Sequence, residues 1–273
     1  MERTDAQGSA RGRLRGLSGA TDPTRDRWRF ALSRPKRLGL PHGDRRRDPP
    51  DRQHREAPVD EEPAKETLTS LRAGSTDARA VEAYYDDWAD GYDATLKEWR
   101  YRAPGDAAGL MAPHLADGAR VLDVGCGTGL LGAALRAHAA VRLAGIDISA
   151  ASLEQAGRRG LYDRLVRHDL TQIPLPVSDR AFDASACIGV LTYIADAETL
   201  LRDMCRTVRT GSVVAFTQRT DLWDDRRFDD LLARLEAEGL WHRLHQSPPM
   251  PYLPGNTDFA EEIGVIHTLC RVI

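Results

Sequence analysis

The sequence predicts an α/β sandwich built on one doubly wound, mostly parallel sheet. Two features carry the prediction. Residues 120–132 read RVLDVGCGTGLLG: an apolar strand run, three glycines at alternate positions, then an apolar helical stripe. From there on, short apolar runs alternate with amphipathic stretches, the pattern of strands and helices stacked in layers. At 273 residues the chain can bury one sizeable α/β core.

The elements follow in chain order. Residues 1–75 carry 17 Lys and Arg against 12 Asp and Glu, whereas the remainder carries 21 against 29. Strings such as GDRRRDPPDRQHRE hold too few apolar residues to offset the entropy of ordering, so this stretch reads as a disordered tail. Acids lie among its arginines, which argues against a nucleic-acid arm and against a transit peptide. The ordered domain is expected over 76–273, starting where Ser75, Thr76 and Asp77 can cap a helix. Val81, Tyr84, Tyr85, Trp88, Tyr92 and Leu96 follow one face of that helix. Trp88 reads as core. Tyr84, Tyr85 and Tyr92 read as core with a polar tip at the edge of a pocket.

Val121, Leu122 and Val124 form a strand buried on both faces, with Asp123 at its end. Gly125, Gly127 and Gly129 allow the backbone to turn tightly and lie against a ligand at the start of the next helix. The dinucleotide fingerprint fails, because its sixth position is Leu130, and a P-loop lysine is absent. Asp123 would repel a pyrophosphate but suits a ligand with an ammonium group. The string Asp123-Val-Gly-Cys126-Gly-Thr128-Gly129 resembles the first motif of the class I methyltransferases that use S-adenosylmethionine (SAM). Within them, YYDDWADGYD at 84–93, continued by Trp99-Arg-Tyr-Arg-Ala-Pro104, resembles a subgroup similar to the methyltransferase-like protein of the Williams-Beuren region. In that subgroup the aromatic helix covers the SAM site, which implies a contact from Tyr92.

The next strand, Val141–Ile146, ends in Asp147, 20 residues past Gly127, where an acid accepts hydrogen bonds from ribose hydroxyls in doubly wound folds. Ser149 caps the helix that follows. Ile148 would then pack on adenine. A third strand, Arg164–Arg167, leads to His168, Asp169 and Leu170, and the resemblance implies that Asp169 meets the adenine amino group. Phe182–Gly189 is the fourth strand and resembles the fourth methyltransferase motif, with Ile188 at the cofactor mouth and Val190–Tyr193 between cofactor and acceptor. The [DN]PP[YF] string of many amine and nucleic-acid methyltransferases is absent here. Thr199–Val208 is a helix, Arg209-Thr-Gly211 its exit turn and Ser212–Thr217 the fifth strand. Phe228–Leu240 is a further helix, and Trp241–Gln246 and Val265–Val272 are the last strands. The loop at 247–256 carries four prolines and is a candidate acceptor rim. The resemblance implies a seven-stranded sheet with its last strand antiparallel.

Four cysteines (Cys126, Cys187, Cys205, Cys270) show no CxxC or metal-ligand spacing, which fits reduced thiols in a cytoplasmic protein. No apolar run approaches the length of a membrane span. The expected function is methyl transfer from SAM to a small-molecule acceptor, without nucleic acid, membrane or metal. Two alternatives stand beside it: an oxidoreductase using NAD, disfavoured by Leu130 and Asp123, and a SAM-binding protein without catalysis. No general base is evident, and SAM chemistry does not always require one, because donor and acceptor need mainly to be held in line.

Overall fold

The computed structural model describes residue 72 and residues 74–259 and 262–273. The expectation of a disordered tail therefore falls almost entirely outside the described residues. Asp77 opens α1 (Ala78–Glu98) by accepting a hydrogen bond from the Ala80 N–H at 2.8 Å, as the sequence predicts. Next come α2 (Ala103–Met111), β1 (Arg120–Val124), α3 (Leu130–His138), β2 (Arg142–Asp147), α4 (Ala150–Arg158), β3 (Tyr162–Arg167) and β4 (Phe182–Cys187). The chain continues with α5 (Ala197–Thr207), β5 (Val208–Arg219), α6 (Thr220–Asp225), α7 (Phe228–Ala237), β6 (Trp241–Gln246), β7 (Met250–Pro251) and β8 (Gly264–Val272).

The strands form one sheet in the order β3-β2-β1-β4-β5-β8-β6, with β7 pairing on β8. β1 to β5 are parallel, and β8 runs antiparallel to both of its long neighbours, β5 and β6. The seven-strand order and the reversed last strand agree with the sequence expectation; β7, two residues long, was not expected. Apolar side chains cover both sheet faces. One face packs Leu122, Val124, Ile146, Phe182 and Phe216 under α5 and α7, and the other packs Val121, Leu143, Ala184 and Ala215 against α2 and α3.

The fifth strand departs from expectation. The predicted exit turn at 209–211 lies inside a 12-residue strand, as a bulge between the pairs Phe182–Val208 and Ala184–Val213. Gly211 takes the positive φ of 84° there, so the turn residue serves a bulge rather than a helix exit. β2 and β3 also shift slightly: β2 includes Asp147, and β3 begins at Tyr162.

Register brings the functional candidates to one edge. Val124 pairs with Ile146, so Gly125 and Asp147 leave the sheet side by side; Asp123 pairs with Ala186, so β4 ends next to them. These are the carboxyl ends of the parallel strands, where such sheets hold their ligands.

Candidate functional site

The glycine loop hangs from the end of β2. The N–H groups of Gly125 and Cys126 both donate to the Ile146 carbonyl, at 2.7 and 3.0 Å. Gly125 has φ 74°, and a Cβ there would collide with the Val190 side chain, so glycine is required both for conformation and for space. At Gly127 a Cβ would meet nothing within 4 Å: this stretch of backbone lies against open space. Asp147 straps the loop in place, one carboxylate oxygen accepting from the Gly127 N–H at 2.7 Å and the other from the Ser149 N–H at 2.9 Å. Burial raises its pKa, partly offset by these backbone donors.

A cleft opens over this edge, with about 650 Å³ of empty space including its mouth. Gly125, Gly127, Asp147, Ile148, Asp169 and Leu170 form the wall from β1 to β3. Ile188, Gly189, Val190, Tyr193 and Ile194 form the wall beyond β4, and Ala78, Val81, Tyr85 and Tyr92 of α1 roof it. A narrower pocket adjoins it through Gly125, Gly127, Tyr92 and Ile188, and takes in Asp123, Cys126, Thr128, Tyr101 and Pro104.

Eleven of the twelve predicted cofactor residues thus lie around two adjoining spaces. The exception is Gly129, which lines neither. It caps α3 in a left-handed conformation, and a Cβ there would press on Tyr162 and Arg159. Asp123 is 2% exposed, and its carboxylate accepts a hydrogen bond from the Tyr162 hydroxyl at 2.6 Å. Burial lifts its pKa to about 7 despite that donor. One Asp169 oxygen accepts from both the N–H and the hydroxyl of Thr171, and the other accepts from the Gln172 side-chain amide at 3.3 Å. Cys126 is buried, and Gly145 below it leaves room for its sulfur.

The aromatic helix divides as well. Tyr85 and Tyr92 line the cleft, whereas Tyr84 and Trp88 pack with Leu96, Leu253, Phe259 and Ile263. The proline-rich loop at 247–256, expected as a candidate acceptor rim, lines neither of these two spaces. It packs instead on the far end of α1, with the Gly255 N–H donating to the Trp99 carbonyl and Tyr252 edge-on to Tyr101.

Sequence reasoning missed Tyr162, Tyr101 and Thr171, and it assigned no partners to the acids of α1. Asp86, Asp87, Asp90 and Asp93 crowd one short stretch of that helix. In the structure three of the four are partnered. Asp86 accepts from the Ser149 hydroxyl at 2.6 Å and the Ala151 N–H at 3.1 Å, at the start of α4. Asp90 accepts from Gln155 at 2.7 Å, and Asp93 accepts from the Thr128 hydroxyl at 2.6 Å and pairs with Arg159. These contacts fasten the roof to the glycine loop and to the helix that follows Asp147.

Among the described residues no cluster of His, Cys, Asp and Glu could hold a metal ion, and no helix is long and apolar enough to cross a membrane.

Comparison with known proteins agrees with this geometry. Residues 122–216 match a family model described as a methyltransferase domain. Methyltransferase-like protein 27 of Homo sapiens is 36% identical over 167 residues, which is 59% of this chain and 68% of that one. The O-methyltransferase resE of Aspergillus sclerotiorum is 31% identical over 139 residues, 49% of each chain. A TehB-like SAM-dependent methyltransferase from Corynebacterium glutamicum shares the fold at a TM-score of 0.52 and 18% identity, over 70% of this chain and 99% of that one. The α/β order with its reversed last strand, the glycine loop strapped by Asp147 and these relatives converge: the chain belongs to the class I SAM-dependent methyltransferases.

Proposed function

We propose that the protein methylates an oxygen of a small, largely apolar acceptor. The observation that carries this reading is the asymmetry of a single cleft. Its β1–β3 end holds the acids and the glycine backbone, and its β4 end holds only apolar side chains and tyrosines. SAM fits the first end by chemistry. Asp147 would take the ribose hydroxyls, Ile148 and Leu170 would hold the adenine between apolar walls, and Asp169 would face its amino group. The open space at Gly127 admits the rest of the cofactor against bare backbone, and Asp123, with Cys126, Thr128 and Tyr92 around it, would meet the ammonium group. When bound, SAM supplies a methyl made electrophilic by the sulfonium.

The chain's own residues then have three tasks. The loop and Asp147 fix the donor, the roof of α1 excludes water, and the β4 end holds the acceptor in line. Relatives named as O-methyltransferases support oxygen as the atom methylated. The match to methyltransferase-like protein 27 supports placing the chain in the subgroup marked by the aromatic helix.

Calorimetry with SAM, S-adenosylhomocysteine and NAD tests the cofactor: the first two bind and NAD does not. Transfer of labelled methyl groups to a panel of small hydroxyl compounds tests the acceptor. Binding of NAD in preference to SAM would overturn the reading.

A further inference from the structure

The β4 end of the cleft contains a pair of phenols that the cofactor does not account for. Tyr85 comes from α1, and Tyr193 from the single 3-10 turn Leu191–Tyr193 that follows β4. Their hydroxyl oxygens are 2.9 Å apart, and their rings meet edge to face at 88°. Both residues line the cleft.

Counting protons shows what the pair can offer. Two hydroxyls carry two protons, and the single bond between them uses one. Whichever hydroxyl donates, the other keeps a proton for which no acceptor is seen among the described residues. The pair therefore presents one spare O–H donor. It does not present a base. Burial pushes Tyr193 up to about 12 and Tyr85 well above the ordinary value near 10, so both stay protonated at neutral pH. Around them stand the further phenols of Tyr84, Tyr92 and Tyr252, and the Arg219 guanidinium, itself paired with Asp221. Among the described residues, no carboxylate, histidine or lysine lines the β4 wall or the roof above it.

An alcohol accepting a methyl group must lose its proton, and among the described residues lining this end none is basic enough to take it. An oxygen that arrives already ionised needs no base, and its charge accepts the spare O–H in a hydrogen bond stronger than a neutral one. We propose that the Tyr85–Tyr193 pair binds the acceptor oxygen as an anion, and that the acceptor is a phenol ionised in water before it enters. In the transfer, an oxyanion lone pair forms the O–CH3 bond, the S–CH3 bond breaks with its electrons remaining on sulfur, and the two charges cancel without moving a proton. The apolar walls of Ile188, Val190 and Ile194 fit the flat body of such a molecule. This inference rests on the methyltransferase reading above and names its acceptor class.

The test uses the full chain saturated with S-adenosylhomocysteine and 4-nitrophenol as probe, because the phenolate absorbs in the visible and the phenol does not. A pH titration reads the probe's ionisation when bound. The expected result is a pKa lowered by about one unit or more, equivalent to phenolate binding roughly tenfold tighter than phenol. Tyr85→Phe and Tyr193→Phe each keep one hydroxyl proton, so each retains part of the shift; the double variant loses it. Thermal melts check that the variants fold, and if the double variant does not, the wild-type shift decides alone. An unchanged or raised probe pKa, a double variant that matches wild type, or a nucleoside complex that fails to bind the probe overturns the proposal. Failure of S-adenosylhomocysteine to bind at all would instead overturn the methyltransferase reading, so the two failures are distinct.

Discussion

Asp147 does two jobs with one carboxylate. It holds the glycine loop through the Gly127 N–H and opens the turn into α4 through the Ser149 N–H. The carboxylate keeps acceptor capacity beyond these bonds for a ligand hydroxyl. Asp147→Ala should therefore weaken S-adenosylhomocysteine binding by ~1.5–3 kcal/mol for each charge-assisted bond lost, about tenfold or more by calorimetry. Unchanged affinity would remove the ribose from this residue. Asp123 gives a prediction in pH. Its folded pKa of about 7 stands above its value near 3.9 in an unfolded chain. Between about pH 4 and pH 7 the folded protein holds a proton that the unfolded chain has released, so this group's contribution to stability falls as pH rises through that window. Urea melts at pH 5 and pH 8 should show a smaller loss for Asp123→Asn than for wild type. Asp147 was legible in the sequence because its distance from the glycines is fixed by one strand-helix-strand unit. Tyr162 was not, because its bond to Asp123 spans 39 residues and depends on how β3 sits beside β2.

At the scale of elements, α1 is a roof fastened at several points along its length. Glu82 pairs with Arg167, Asp86 reaches Ser149, Asp90 reaches Gln155, and Asp93 reaches Thr128 and Arg159. The helical period was readable from the spacing of its aromatics, but the acids could be placed only once the helix was docked, since all their partners lie on other elements. Gly91 still weakens the helix itself by ~1 kcal/mol relative to alanine. A ligand entering beneath this helix must displace it, and one lodged there adds contacts to Tyr85 and Tyr92. Amide exchange across 84–93 should accordingly slow when S-adenosylhomocysteine is added; equal exchange in both states would make α1 a static wall. Tyr92→Phe should weaken cofactor binding more than it lowers the melting temperature, since only a hydroxyl at the cleft is lost. Asp86→Ala should cost about 1 kcal/mol in stability, small because the group is partly exposed, yet speed exchange throughout 84–93. β5 shows the converse limit of sequence reading. Gly211 reads in the sequence as a turn, and only the pairing of Val208 with Phe182 shows that the strand continues through it.

For the whole molecule, the sheet order and the clustering of the acids at one edge were legible because each follows from strand alternation and parallel pairing. The N-terminal limit of the domain was less so. Arg72 pairs with Glu262, and its carbonyl accepts from Arg219 at 2.9 Å, so the domain engages the chain ahead of residue 76. We propose 72–273 as the folding unit. Deleting 1–71 should leave the melting temperature within a few degrees, and a fall of more than about 5 °C, roughly 1–2 kcal/mol at this size, would mean that the removed stretch packs on the domain. The position of β8 has a consequence for how the chain reaches its native state. Among the described residues β6 pairs with the sheet only through β8, Trp241 lying opposite Val272, and β8 joins β5 from far along the chain, from the pair Arg219–Val265 to the pair Val213–Arg271. Such distant pairings carry a large loop-closure entropy and form late. The strands from β1 to β5 can assemble while β6 remains unattached, and β8 then seats two strands in one event. Until it does, the β5 edge is bare and open to pairing with another chain, so the same strand that completes the sheet also ends its exposure to aggregation.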